Sequence, residues 1–183
     1  MRLDRGPDSE RAQAMKLSRA GALRLLYLGL SLFLFAMDRL SKSAVVARLP
    51  LYDSVPVIQD FFHLTHVANT GALFGLMAGL ASPLRGIIFI TIPVLAILLI
   101  LVFQFRTEGS ELPVQVGLAL ILGGAMGNLY DRIAYGHVVD FLDFSLAGHH
   151  WPAFNLADSS ICLGVFTLVL DLFRHDRRAA PAS

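Results

Sequence analysis

The sequence predicts a membrane protein, mainly α: four transmembrane helices with a small extracytoplasmic β platform and a short interfacial helix. Three observations predict it. Hydrophobic residues make up 55% of the 183-residue chain and charged residues only 16%, with a mean hydropathy of +0.62, whereas soluble domains carry about 25% charged residues. Four apolar runs approach or reach the length that crosses about 30 Å of hydrocarbon. Between the last two runs lies a polar stretch, Gly123 to Asp158, in which small residues and two Asn alternate with four Asp and one Arg. Net charge is +1, and no concentrated basic stripe appears outside the termini, so no nucleic-acid partner is expected. The single Cys162 forms neither an internal disulfide nor a thiolate metal site. Its place in the last apolar run suits a small core residue.

Residues 1–20 carry five basic and three acidic side chains and read as a flexible tail. The first apolar run is Gly21 to Met37, interrupted by Arg24. A cleaved signal peptide is the alternative, but no clean A-x-A site follows. Asp-Arg-Leu-Ser-Lys at 38–42 reads instead as the polar end of a retained helix. The loop at about 49–82 is an outer platform. VPVIQDFFHLTHVAN, ending at Asn69, is rich in β-branched and aromatic residues and predicts short strands. Asn69-Thr70-Gly71 is a turn signal. ALFGLMAGL, from Ala72, predicts the interfacial helix.

The second span runs from Pro83 to Phe105, with a kink expected at Pro93. The third runs from Pro113 to Gly127 and is rich in small residues. Gly123 and Gly127 form a GxxxG pair suited to close helix packing. If that helix continues, Asn128 and Arg132 share a face. Gly136 suits a turn, and the alternation in GHVVDFLDF predicts a short strand. The fourth span runs from Asn155 to Phe173, and residues 174–183 form a second tail. A single membrane domain over 21–173 follows. With the N-terminus inside, nine Lys and Arg fall on the cytoplasmic side and five on the outer side. That bias predicts cytoplasmic termini and an outer Asp-rich stretch. No internal repeat is visible, which counts against most transporter architectures.

Carboxylates beside a bilayer are costly and mark function. Two carboxyls within hydrogen-bond reach cannot both ionise, so such a pair holds one proton near neutral pH. Its ionised member can deprotonate water while the other protonates a scissile carbonyl. Asp140 and Asp158 are read as that pair, although strand alternation by itself leaves Asp143 eligible beside Asp140. Asn155 and Asp158 share the first turn of the fourth helix, where an N-cap and a dipole-compensating carboxylate are the simpler roles. Asn128 and Arg132 suit a substrate backbone or head-group, or lipid phosphate. Asp38 and Lys42, one turn apart, suit an ordinary ion pair worth about 0.3–0.5 kcal/mol. Metal chemistry is the rival: His63 and His66 fall on opposite strand faces, His149-His150 lacks an obvious third ligand, and no H-E-x-x-H occurs. Ser159 and Ser160 lack a G-x-S-x-G context.

Four motifs occur in order: DRLSK at Asp38–Lys42, NTGALF at Asn69–Phe74, GNLYDR…GHVVDF from Gly127 to Phe141, and PAFNLADS at Pro152–Ser159. Together they resemble the lipoprotein signal peptidase family (signal peptidase II) over roughly Ala20 to Phe173. The resemblance implies an aspartic endopeptidase of the bacterial inner membrane, acting near the extracytoplasmic face without a cofactor or metal. It implies a diacylglyceryl-modified prolipoprotein as substrate, cut just before the lipidated cysteine. Its partners would be that substrate and membrane lipids, and the expected unit is a monomer. The matched motifs assign the catalytic aspartates to Asp140 and Asp158, with support from Asp38, Asn69, Asn128, Arg132 and Asn155. Asp131 also lies in a motif, and pairing it with Asp158 is the fallback. Arg39 stands where the family more often has Gln, and Leu73 replaces a small residue. A proton-coupled transporter and a non-catalytic assembly factor are the competing classes.

Overall fold

The computed structural model describes residues 7–71 and 82–179. The elements run α1 (Pro7–Arg48), β1 (Ser54–Ile58), β2 (Phe62–Asn69), α2 (Ser82–Arg106), α3 (Leu112–Tyr135), β3 (Val138–Leu146), β4 (His149–His150) and α4 (Leu156–Ala179). Among the described residues four stretches are long and apolar enough to cross a membrane: Ala20–Arg48, Gly86–Arg106, Leu112–Tyr135 and Leu156–Arg174. The expected interfacial helix at Ala72 lies outside the described residues.

Two boundaries depart from expectation. Helix α1 begins at Pro7, so most of the supposed flexible tail is helical. The Ala, Gln, Met, Lys and Leu of this stretch are good helix formers by composition. Polarity there was no sign of flexibility. Helix α3 continues two turns beyond Gly127 to Tyr135 and stops at Gly136, whose φ of 75° is the left-handed cap that glycine adopts freely. Its polar last turns stay helical because they find partners inside the bundle. Pro93 lies inside an unbroken α2.

The interior is polar and the exterior apolar. The largest fully buried side chains are Lys42, Gln104, Gln115, Asn155, Asp38, Asp131 and Ser31, while Leu32, Phe33, Ile92, Leu98, Leu163 and Phe166 are exposed. Lipid supplies no hydrophobic drive between helices, so close packing and internal hydrogen bonds must join them. Helices α1 and α3 run side by side in one direction: Tyr27 donates to the Gly109 carbonyl, Ser31 to Ala119, and Lys42 to Asn128. The GxxxG pair lies along this seam. Gly123 meets the Ser31 backbone, and a Cβ on Gly127 would collide with the Asp38 carboxyl.

The strands form one antiparallel platform, order β1-β2-β3-β4. A bulge between Leu64 and Val67 sets Val67 opposite Asp140 and Asn69 opposite Val138. Asn69 thereby becomes a diagonal neighbour of Asp140. Beyond Asp140, Phe154 bridges to Leu142, its carbonyl accepting the Phe141 and Leu142 N–H groups at 3.0 and 2.8 Å. That bridge carries the start of α4 against β3.

Candidate active site

The site begins with an ion cluster where α1, α3, β3 and α4 meet. Lys42 Nζ lies 2.7 Å from Asp38 Oδ2 and 2.9 Å from Asp131 Oδ2, and donates to Asn128 Oδ1 at 2.9 Å. Arg39 pairs with Asp131 Oδ1, its guanidinium 4.4 Å from the Tyr130 ring centre. Asp38 Oδ1 accepts the Ala157 N–H at 3.0 Å, and Asp131 Oδ2 accepts the Val139 N–H at 3.3 Å. Asp38, Lys42 and Asp131 are all 0% exposed. The expected surface pair is therefore a buried network that fixes the backbone beside both remaining carboxylates. Sequence reasoning missed the reach of Lys42 and Arg39. The available signal was arithmetic: four acids near a membrane need nearby cations.

Asp140 and Asp158 meet amides instead. Asp140 Oδ1 accepts from Asn155 Nδ2 at 2.7 Å and Oδ2 from Asn69 Nδ2 at 2.8 Å. Asp158 Oδ1 accepts from Asn128 Nδ2 at 2.7 Å and Oδ2 from the Asn155 backbone N–H at 3.2 Å. Asn155 Oδ1 in turn accepts the Asp158 N–H at 3.0 Å. Asn155 and Asp158 thus form a reciprocal capping box, and the structural and site roles coincide. The amide orientations follow from their neighbours. Lys42 occupies Asn128 Oδ1, so Nδ2 faces Asp158; the Gly71 N–H occupies Asn69 Oδ1 at 2.8 Å, so Nδ2 faces Asp140. Burial raises the Asp140 pKa from 3.8 to about 6; the Asn69 hydrogen bond opposes this, and the negative charge of Asp158 adds to it.

Arg132 donates to the Asn128 carbonyl at 3.4 Å. With Asn69, Thr70 and Phe89 it lines a cavity of about 260 Å³, its guanidinium 5.7 Å from the Phe89 ring centre. Other candidates lie elsewhere. Asp143 pairs with His150 at 2.9 Å, which leaves Asp140 as the β3 carboxylate that meets the Asn155 amide. Asp131 is held by its two cations. His66 Nδ1 contacts the Leu49 carbonyl, and the His63 ring faces His150. Among the described residues no three His, Cys, Asp or Glu side chains converge to hold a metal ion. Ser159 and Ser160 donate to the backbone carbonyls of Asn155 and Leu120. Cys162 is exposed rather than in the core, because the lipid-facing side of α4 is apolar too.

Comparison with known proteins gives a consistent result. The model of the family described as signal peptidase (SPase) II matches residues 30–174. A lipoprotein signal peptidase of Syntrophus aciditrophicus is 40% identical over 153 residues, covering 84% of this chain and 95% of that protein. One from Desulforapulum autotrophicum is 45% identical over 139 residues, covering 76% and 86%. A bacterial membrane enzyme solved by the in meso method superposes with a TM-score of 0.75 at 28% identity, covering 86% of this chain and 93% of that one. A second, at 30% identity, gives 0.71, covering 80% and 92%.

Proposed function

The chain belongs to the signal peptidase II family of aspartic peptidases, and on that footing we propose that Asp140 and Asp158 are its catalytic pair. The substrate is a diacylglyceryl-modified prolipoprotein, and the cut falls just before the lipidated cysteine. One observation carries the pairing: Asn155 donates from its side chain to Asp140 and from its backbone to Asp158, so a single residue spans both acids.

Asp140, buried and pushed up to about 6, holds the shared proton. Asp158, in the first turn of α4 where the helix dipole favours a carboxylate, takes the role of the base. Asp158 takes a proton from water as the oxygen attacks the scissile carbonyl carbon, and Asp140 protonates the carbonyl oxygen. Asp158 then protonates the leaving nitrogen, the C–N bond breaks, and Asp140 recovers its proton from the diol. Charge bookkeeping supports this resting state. Asp38, Asp131, Asp140 and Asp158 stand against Arg39, Lys42 and Arg132, so one proton on the pair makes the set neutral.

Arg132 and Asn69, lining the adjoining cavity, receive the substrate backbone. The Lys and Arg bias supports cytoplasmic termini and an extracytoplasmic site. The test is purified protein with a synthetic lipidated prolipoprotein, its products read by mass spectrometry. The expected product begins with the lipidated cysteine, and the unlipidated substrate stays intact. A cut elsewhere overturns the specificity, and loss of activity in EDTA that zinc restores overturns the dyad.

A further inference from the structure

At the opposite end of the bundle, α1 and the turn between α2 and α3 enclose a cavity of about 810 Å³. Arg24, Tyr27, Glu108 and Ser110 give it polar walls, and Leu23 and Leu112 give it apolar ones. Tyr27, 3% exposed, spends its hydroxyl on the Gly109 carbonyl and holds the turn against α1. Arg24 spends one amino group on the Phe105 carbonyl at 3.1 Å, while its buried Nε has no acceptor. Glu108 is exposed, and its described contact is the Ser110 hydroxyl at 3.4 Å. Among the described residues neither charge has an ion-pair partner, and they do not pair with each other. A cation and an anion thus face one cavity, both unneutralised. Arg24 lies near the start of the span Ala20–Arg48. Leu26, three residues beyond Leu23 on the same face, is exposed, as is Leu112.

We propose that this cavity seats the headgroup of a phosphoethanolamine lipid. The phosphate meets Arg24, the ammonium meets Glu108, and an acyl chain follows Leu23, Leu26 and Leu112. The polarity of the walls selects this occupant. A purely anionic headgroup leaves Glu108 unmatched and repelled. A choline headgroup offers no N–H to its carboxylate. The site is separate from the carboxylate pair: Arg24 and Asp38 are fourteen residues apart on α1, roughly 21 Å at 1.5 Å per residue.

The experiment uses delipidated protein in detergent, titrated with phosphatidylethanolamine, phosphatidylglycerol, phosphatidylcholine or soluble glycerophosphoethanolamine. Bound lipid is read by native mass spectrometry and by the shift in unfolding temperature. Wild type is expected to retain phosphatidylethanolamine over the other two lipids by about tenfold, the worth of one charge-assisted contact. Glu108→Gln should bring that preference close to unity while total lipid binding persists. Arg24→Gln should weaken all three lipids, and Arg24→Lys should restore much of the binding. Equal retention of the three lipids by wild type overturns the proposal, as does an unchanged preference in Glu108→Gln. Soluble glycerophosphoethanolamine binding as tightly as the lipid overturns the lipid as its source. If Arg24→Gln fails to fold through loss of the Phe105 contact, Glu108→Gln, in an exposed turn, decides alone.

Discussion

Two sets of carboxylates share one site and are held in opposite ways. Asp38 and Asp131 face Lys42 and Arg39. Asp140 and Asp158 face the amides of Asn69, Asn128 and Asn155. A cation neutralises a buried acid and ties it to one geometry. A neutral amide supplies a donor but no compensating charge, so a nearby second acid still makes itself felt. The same side chain is a rivet in the first setting and, on the proposed pairing, a reagent in the second.

The sharpest way to break this comparison is to remove one carboxylate from each set. Asp140→Asn or Asp158→Asn should lower prolipoprotein processing by at least ~10³-fold, within the range for a lost general acid or base, and leave the unfolding temperature close to wild type. Full activity in either variant removes the dyad. Lys42→Met should do the reverse in kind. It strands the buried Asp38, leaves Asp131 on Arg39 alone, and should cost about 3–5 kcal/mol of stability, seen as poor folded yield and a lower unfolding temperature in detergent. If Lys42→Met is as stable as wild type, the rivet description fails.

Titration sharpens the contrast further. The folded state binds the Asp140 proton more tightly than the unfolded chain does, so folding is favoured while that proton is bound. Stability should therefore fall as pH rises from the ordinary carboxylate value of 3.8 to about 6, and then level off. Asp140→Asn should flatten that slope in thermal melts. The kcat/KM of wild type should decline as pH passes upward through about 6, where the acid is lost. Asn69→Leu removes a hydrogen bond that favours the ionised form, so it should move that declining limb to higher pH. A limb that stays in place, or moves down, contradicts the assignment. The smallest effect belongs to Arg39→Gln. Lys42 still neutralises Asp131, and a glutamine amide keeps a donor for its carboxylate, so the unfolding temperature should drop less than in Lys42→Met, with activity close to wild type.

Local patterns in the chain announced much of this. Four apolar runs foretold the spans, and β-branched alternation foretold β2 and β3. The three-residue spacing of Asn155 and Asp158 foretold their shared turn. Less visible was anything decided by distant partners. Helix α3 passes through Asn128 and Asp131 because Lys42, far back in the chain, binds both. Asp140 and Asp143 are equivalent in the alternation of β3. Only the Phe154 bridge, which brings Asn155 to the first while His150 takes the second, separates them. The polar start of α1 shows that a helix can be written in hydrophilic letters.

The capping box at Asn155 also bears on when this protein becomes active. Its two N–H groups reach both acids only once the opening turn of α4 is wound, and α4 follows α1, α2 and α3 along the chain. On the proposed pairing, a nascent copy with only those three segments threaded is inert. On that pairing, competence to cut arrives with the winding of α4 itself.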